Sequence, residues 1–162
     1  MELPQRKPTR LKTFDYNSNG YYFITICTHN KDCILGQVVG DGAHDVPKTH
    51  LSTEGKVVEK YILSSNNIPQ ITIDKFVIMP NHIHLIIAIE NNGTSKAPSP
   101  TNSIISHAVS TLKRFINKDL GRNVFQRSFH DHIIRSYEDY LQIWNYIDTN
   151  PSKWQNDCFY IK

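Results

Sequence analysis

Cysteine is scarce in this 162-residue chain, and the three present (Cys27, Cys33 and Cys158) form no metal-ligand spacing. An odd count excludes a fully paired disulfide framework and points to reduced thiols in a cytoplasmic setting. Long hydrophobic runs are also missing. No stretch approaches the roughly 18 apolar residues that a membrane-spanning helix needs, and the opening Met1-Glu-Leu-Pro-Gln-Arg6 has no apolar region of a secretory signal. Internal repeats are absent. Charge of either sign is limited: the net charge is +3, compatible with a nucleic-acid partner without requiring one. At 39% hydrophobic and 20% charged residues, the chain reads as an ordinary globular protein, expected to form a single domain over residues 1–162.

What is present is concentrated in Phe76-Val-Ile-Met-Pro-Asn-His82-Ile-His84-Leu-Ile-Ile-Ala-Ile89. The run is short, rich in β-branched residues and interrupted by a Pro-Asn turn, so it reads as a strand ending at Met79 and a second beginning at His82. Strands joined this tightly pair antiparallel. Side chains alternate along a strand, so His82 and His84 share one face while Ile83, Leu85, Ile87 and Ile89 share the other. Two imidazoles side by side in so apolar a run make half of a metal site, because neutral imidazole is a common metal ligand. The alternative is a pair of surface histidines on an edge strand.

Elsewhere the periodicity predicts strands at 21–28 and 71–79, and one or two short strands within 124–135. It predicts helices from Ser52 to about Ser65, from Asn102 or Ser103 to Gly121, and from Ser136 to about Asn150, where Pro151 stops the last one. Residues 36–50 read as a loop or irregular hairpin, 91–101 as a flexible connection, and 1–12 as an extended basic arm carrying Arg6, Lys7, Arg10 and Lys12. The order strand, helix, strand, strand, helix, strand, helix implies an α+β fold, with helices packed mainly on one face of an antiparallel sheet. On the last helix Tyr140, Ile143, Trp144 and Ile147 form the buried stripe. Tyr146 and Asn150, one turn apart, lie on one flank, with Asp139 near the helix start on the same flank. Two histidines want a further oxygen or nitrogen ligand, and the Asn150 carbonyl oxygen could supply it.

Met79-Pro-Asn-His82-Ile-His84, then Phe125-Gln-Arg-Ser-Phe-His-Asp-His132-Ile-Ile-Arg135, then Tyr146-Ile-Asp-Thr-Asn150-Pro151, in this order, resemble the HUH single-tyrosine transposase superfamily. The similarity is closest to its REP-associated tyrosine transposase branch. Arg6-Lys-Pro-Thr-Arg-Leu-Lys12 and Gly20-Tyr-Tyr-Phe-Ile-Thr-Ile-Cys27 extend it over nearly the whole chain. The resemblance implies a ferredoxin-like α+β sandwich. It also implies a divalent metal, Mg²⁺ or Mn²⁺, on His82, His84 and Asn150, and Tyr146 as nucleophile. The implied reaction is cleavage and strand transfer of hairpin-bearing single-stranded DNA through a 5′-phosphotyrosine, by a monomer or a homodimer. Phosphate contacts are expected from Arg6, Lys7, Arg10, Lys12, Lys113, Arg114, Arg127 and Arg135, with Lys118 and Arg122 as further options, and base stacking from Tyr16, Tyr22 or Phe129. No long carboxyl-terminal DNA-binding tail is expected after Pro151. Two other readings stand beside this one. The first is a hairpin-binding protein that no longer cuts. The second is a cupin-type metal enzyme using Glu90, which the two long helical stripes and the distance of Glu90 from His84 disfavour.

Overall fold

The computed structural model describes residues 14–40, 46–90 and 103–161. The basic arm with Arg6, Lys7, Arg10 and Lys12, and the 91–101 connection, lie outside the described residues. Among the described residues the chain forms six strands and three α-helices. They are β1 (Gly20–Cys27), β2 (Gly36–Val39), β3 (Lys48–Leu51), α1 (Thr53–Ser64), β4 (Ile71–Met79), β5 (His82–Ile89), α2 (Ile104–Leu120), β6 (His130–Ile134) and α3 (Tyr137–Thr149). Short 3-10 segments at His29–Lys31, Ser65–Asn67 and Pro151–Asn156 punctuate them.

Local sequence sets the helix ends. Ser52, Ser103 and Ser136 cap α1, α2 and α3 by accepting the backbone N–H of Gly55, Ser106 and Asp139. Gly121 closes α2 at φ +67°, a left-handed conformation that favours glycine. The helix starts and stops therefore fall where the caps put them. Where a loop or irregular hairpin was expected, Gly36–Val39 and Lys48–Leu51 pair antiparallel as β2 and β3. Within 124–135 there is one strand, β6, and an isolated bridge between Thr28 and Phe125.

The main sheet is antiparallel, ordered β4-β5-β1-β6. Set against the chain order β1, α1, β4, β5, α2, β6, this is the arrangement of a ferredoxin-like βαββαβ unit, with β5 and β1 central. Ile83, Leu85, Ile87 and Ile89 of β5 join Tyr22, Ile24 and Ile26 of β1 in the core, under Val58 and Ile62 of α1 and Ile105, Val109, Leu112 and Ile116 of α2. Helices α1 and α2 thus cover one face of the sheet. Helix α3 lies on the other face. There Tyr140 meets Tyr21, Tyr146 meets Phe23, and the Lys75 ammonium sits 4.2 Å from the centre of the Trp144 ring. The predicted stripe of α3 faces the sheet, with Ile147 its one fully buried member.

Candidate functional site

The outer face of the two central strands carries the histidines. His84 is flanked by Thr25 on β1 and Val77 on β4, and His82 by Cys27 and Met79. Both imidazoles are buried, at 0% and 1% exposure, so the edge-strand surface pair is excluded.

A neighbouring group holds the outer nitrogen of each ring. The Asn81 amide donates to the carbonyls of Lys31 (3.1 Å) and Phe159 (2.8 Å), so its oxygen is left to accept from His82 Nδ1 at 2.9 Å. His84 Nδ1 lies 2.8 Å from Thr25 Oγ1. The Thr25 hydroxyl can donate or accept; in the tautomer where it accepts, Nδ1 carries the proton on each ring and the two Nε2 lone pairs face one another 3.0 Å apart. Burial holds both rings neutral: His82 is pushed down to about 4, and His84 falls well below its ordinary value through burial and the neighbouring His82. Two converging lone pairs on neutral, anchored imidazoles are the ligand geometry of a metal site, and the outward hydrogen bonds are those that orient metal-bound histidines.

Two further groups close the pocket. Asp157 follows the last 3-10 segment, and its carboxylate stands with the two imidazoles so that one potential ligand atom from each lies within 4.8 Å of the others. Asn150, 2% exposed, donates through Nδ2 to Asp157 Oδ2 at 3.0 Å. Its Oδ1 is buried with no hydrogen-bond partner. A buried carbonyl oxygen without a donor is costly, and a cation beside it removes that cost. The donor set of two imidazole nitrogens, a carboxylate and an amide oxygen therefore fits a divalent ion. Asp157 was missed from sequence: a lone aspartate in a polar carboxyl-terminal stretch has no spacing to mark it.

Tyr146 completes the group. Its hydroxyl lies 3.3 Å from His84 Nε2 and donates to Asp157 Oδ2 at 3.4 Å. Its ring packs edge-on to Phe23 and His84, and the residue is 37% exposed. The phenol is thus partly open to solvent while its oxygen faces His84 and Asp157. Burial, and secondarily the Asp157 charge, push its pKa up to about 12, so the resting hydroxyl is protonated. Trp154 and Phe159 wall the pocket on the His82 side.

Other sequence-derived residues fall elsewhere. Asp139 points away from the pocket and pairs with His132 at 2.9 Å. Tyr16, Tyr22 and Phe129 are core residues at 2%, 1% and 9% exposure, so they offer no stacking face. The Lys113 ammonium is turned inward and donates to the carbonyls of Gln126, Arg127 and Ser128, because that irregular segment needs partners for its exposed carbonyls. Arg122 pairs with Glu54. Arg114, Arg127 and Arg135 are exposed. Arg114 and Lys118 line an open cleft on α2, on the opposite side of the sheet from the histidines. An open four-stranded sheet with Glu90 at the far end of β5 is incompatible with a cupin barrel.

No protein-family model matches the chain. A Haemophilus influenzae protein, itself uncharacterised, is 35% identical over 180 residues, an alignment covering 98% of this chain and 95% of that one. The solved structure of a REP-associated tyrosine transposase bound to a REP hairpin superposes with a TM-score of 0.61 at 20% identity, covering 95% of this chain and 74% of that one. The chain therefore belongs to one family with the Haemophilus influenzae protein, and it has the fold of the REP-associated tyrosine transposase, the branch that its His-Ile-His and Tyr-x-x-x-Asn-Pro motifs resemble.

Proposed function

We propose that this chain is a single-domain, metal-dependent DNA transposase that cleaves and rejoins single-stranded DNA through Tyr146. The observation that carries the reading is the 3.3 Å approach of the Tyr146 hydroxyl to His84 Nε2, beside a donor set with an orphaned amide oxygen.

His82, His84 and Asn150 would hold the ion, with Asp157 as a fourth donor missed from sequence. A bound Mg²⁺ or Mn²⁺ supplies a Lewis acid for a non-bridging phosphate oxygen and positive charge for the developing oxyanion. Tyr146 Oη attacks the scissile phosphorus, a new P–O bond forms, and the P–O3′ bond breaks. The phenolic proton passes to Asp157, and the departing 3′ oxygen takes a proton from solvent, which reaches the partly open site, and leaves as a hydroxyl. The 5′-phosphotyrosine retains the ester bond, so a second 3′-OH reverses the step and joins a new strand without nucleotide hydrolysis. Phe23 and His84 hold the phenol ring in place, which reduces the entropic cost of the attack. Every group in this scheme comes from one chain, so a monomer suffices for the chemistry.

A hairpin-bearing single strand is the proposed substrate. The resemblance in sequence and the hairpin bound by the structural neighbour support it. Arg114, Arg127 and Arg135, and the basic arm with Arg6, Lys7, Arg10 and Lys12, are the proposed phosphate contacts. Lys113 is less suited to that role, since its donors serve backbone carbonyls.

Labelled hairpin oligonucleotides incubated with the protein and Mn²⁺ or Mg²⁺, then run on a denaturing gel, test the proposal. A covalent adduct that disappears with EDTA and in Tyr146→Phe supports it. Binding without any adduct means that the protein recognises hairpins and does not cut them.

A further inference from the structure

A second concavity opens beside the histidines. Its walls are the β2–β3 hairpin, with Val38, Val39 and Pro47, and the 3-10 segment after α3, with Ser152, Trp154, Gln155 and Asn156. Its volume of about 530 Å³ lies within the roughly 300–1,000 Å³ range of small-molecule sites. It shares one wall with the histidine pocket, since the half-buried Trp154 lines the cleft while its ring lies 6.0 Å from that of His82.

The lining has a particular chemistry. Among the described residues that line it none is charged, whereas the cleft on α2 carries Lys113, Arg114, Lys118 and Arg122. The lining suits a base better than a phosphate. The polar groups are instead a hydroxyl and two carboxamides. Ser152, Gln155 and Asn156 are exposed, and among the described residues their side chains make no hydrogen bond. A carboxamide pairs a donor with an acceptor, the complement of a base edge, and an indole offers the face on which a base stacks. Trp154 is held by an edge-on contact with Tyr160 at 5.2 Å, so its orientation is set before a ligand arrives.

We infer that this cleft takes the nucleobase adjoining the scissile phosphate, stacked on Trp154 and read by Gln155 and Asn156, and so sets base preference at the cut. The inference rests on the proposed cleavage reaction and adds to it a specificity subsite that the metal and tyrosine do not provide. Trp154, Gln155 and Asn156 are here specificity residues, separate from the groups that act on the phosphate.

The test uses the full chain with Mn²⁺ and a set of single-stranded oligonucleotides carrying one hairpin and every base in turn at the positions flanking the cut. A second set carries an abasic nucleotide at each of those positions. Adduct yield gives the preference profile. Gln155→Ala and Asn156→Ala alter exposed side chains and should leave folding intact; Trp154→Phe retains a stacking face and Trp154→Ala does not. The expected result is that the alanine variants at 155 and 156 flatten the preference at one flanking position by roughly tenfold. Trp154→Ala should lower yield on every base at that position, with Trp154→Phe restoring much of it. Abasic substitution there should bring wild type down to the level of Trp154→Ala. Cleavage with the same preference profile in all four variants overturns the subsite and leaves the cleavage reading standing. No adduct from wild type on any oligonucleotide overturns the cleavage reading, and the subsite with it.

Discussion

Two imidazole nitrogens facing each other at 3.0 Å need a proton or a cation between them; a neutral Nε2–H tautomer of one ring supplies the first and a metal ion the second, while burial disfavours any further proton that would charge the pair. The sign of the pH effect follows. His82 gains its proton near 4 in the native state and near 6.5 when unfolded. The unfolded chain therefore binds more protons through that window, and His84, also lowered, acts the same way. Native stability should be steady above about pH 6.5 and fall as the pH drops towards 4. Calorimetric melting of the metal-free protein from pH 7.5 to 4 checks this, and a His82→Asn/His84→Asn double variant should show a shallower decline. The hydrogen bonds behind the rings matter as well. Thr25→Val keeps the strand and the shape but removes the partner of His84 Nδ1. It should weaken Mn²⁺ binding by roughly 10- to 100-fold in a calorimetric titration; unchanged affinity would mean that Thr25 does not orient the ligand. At this scale the sequence was legible where periodicity fixes direction. Alternation put His82 and His84 on one face, and helical spacing put Tyr146 above Asn150. Asp157 was not legible, because its place depends on how the chain turns after Pro151. Nor was the burial of Tyr16, in the turn before β1, and of Tyr22, within it, which an aromatic-rich stretch does not distinguish from exposure.

Among the secondary-structure elements, the capping serines and Gly121 made the helix ends readable, and β-branched runs did so for the strands. The hairpin at 36–50 was only half legible, since its four-residue strands are too short for a pattern to emerge. One glycine has a role that helix propensity hides. Gly55 lies in the first turn of α1, where alanine would ordinarily be preferred. A Cβ there would run into the Leu35 carbonyl. That carbonyl accepts the Ser52 N–H, and the Ser52 hydroxyl both donates to the Ile34 carbonyl and caps the helix. Gly55→Ala should therefore destabilise the protein by about 1–3 kcal/mol through overpacking, read as a lower urea midpoint with an unchanged slope. A neutral or stabilised variant would show that α1 can shift away from this strand.

For the whole molecule, the sheet order β4-β5-β1-β6 places the two histidines on a central strand and leaves one face for α1 and α2 and the other for α3. Fold class was readable from the order of elements alone. That α3 crosses the second face, bringing Tyr146 to His84, is a tertiary fact that the motif resemblance implied and the local pattern did not. The same division separates the basic cleft on α2 from the histidine pocket on the other side of the sheet. If a DNA hairpin spans both, its affinity should fall with salt, and Arg114→Ala with Lys118→Ala should reduce the log–log slope by about 0.9 for each lost phosphate contact. Fluorescence anisotropy at several salt concentrations reads this, and an unchanged slope would remove the α2 cleft from the DNA path.

The most direct test of the account is the identity of the residue that becomes joined to DNA. The protein is reacted with a hairpin oligonucleotide and Mn²⁺, digested with protease and nuclease, and its peptides are sequenced by mass spectrometry. The account predicts a nucleotide on Tyr146 through a 5′ phosphate and on no other tyrosine. A nucleotide on Tyr137, Tyr140 or any other residue, or cleaved DNA with no modified peptide, would contradict it.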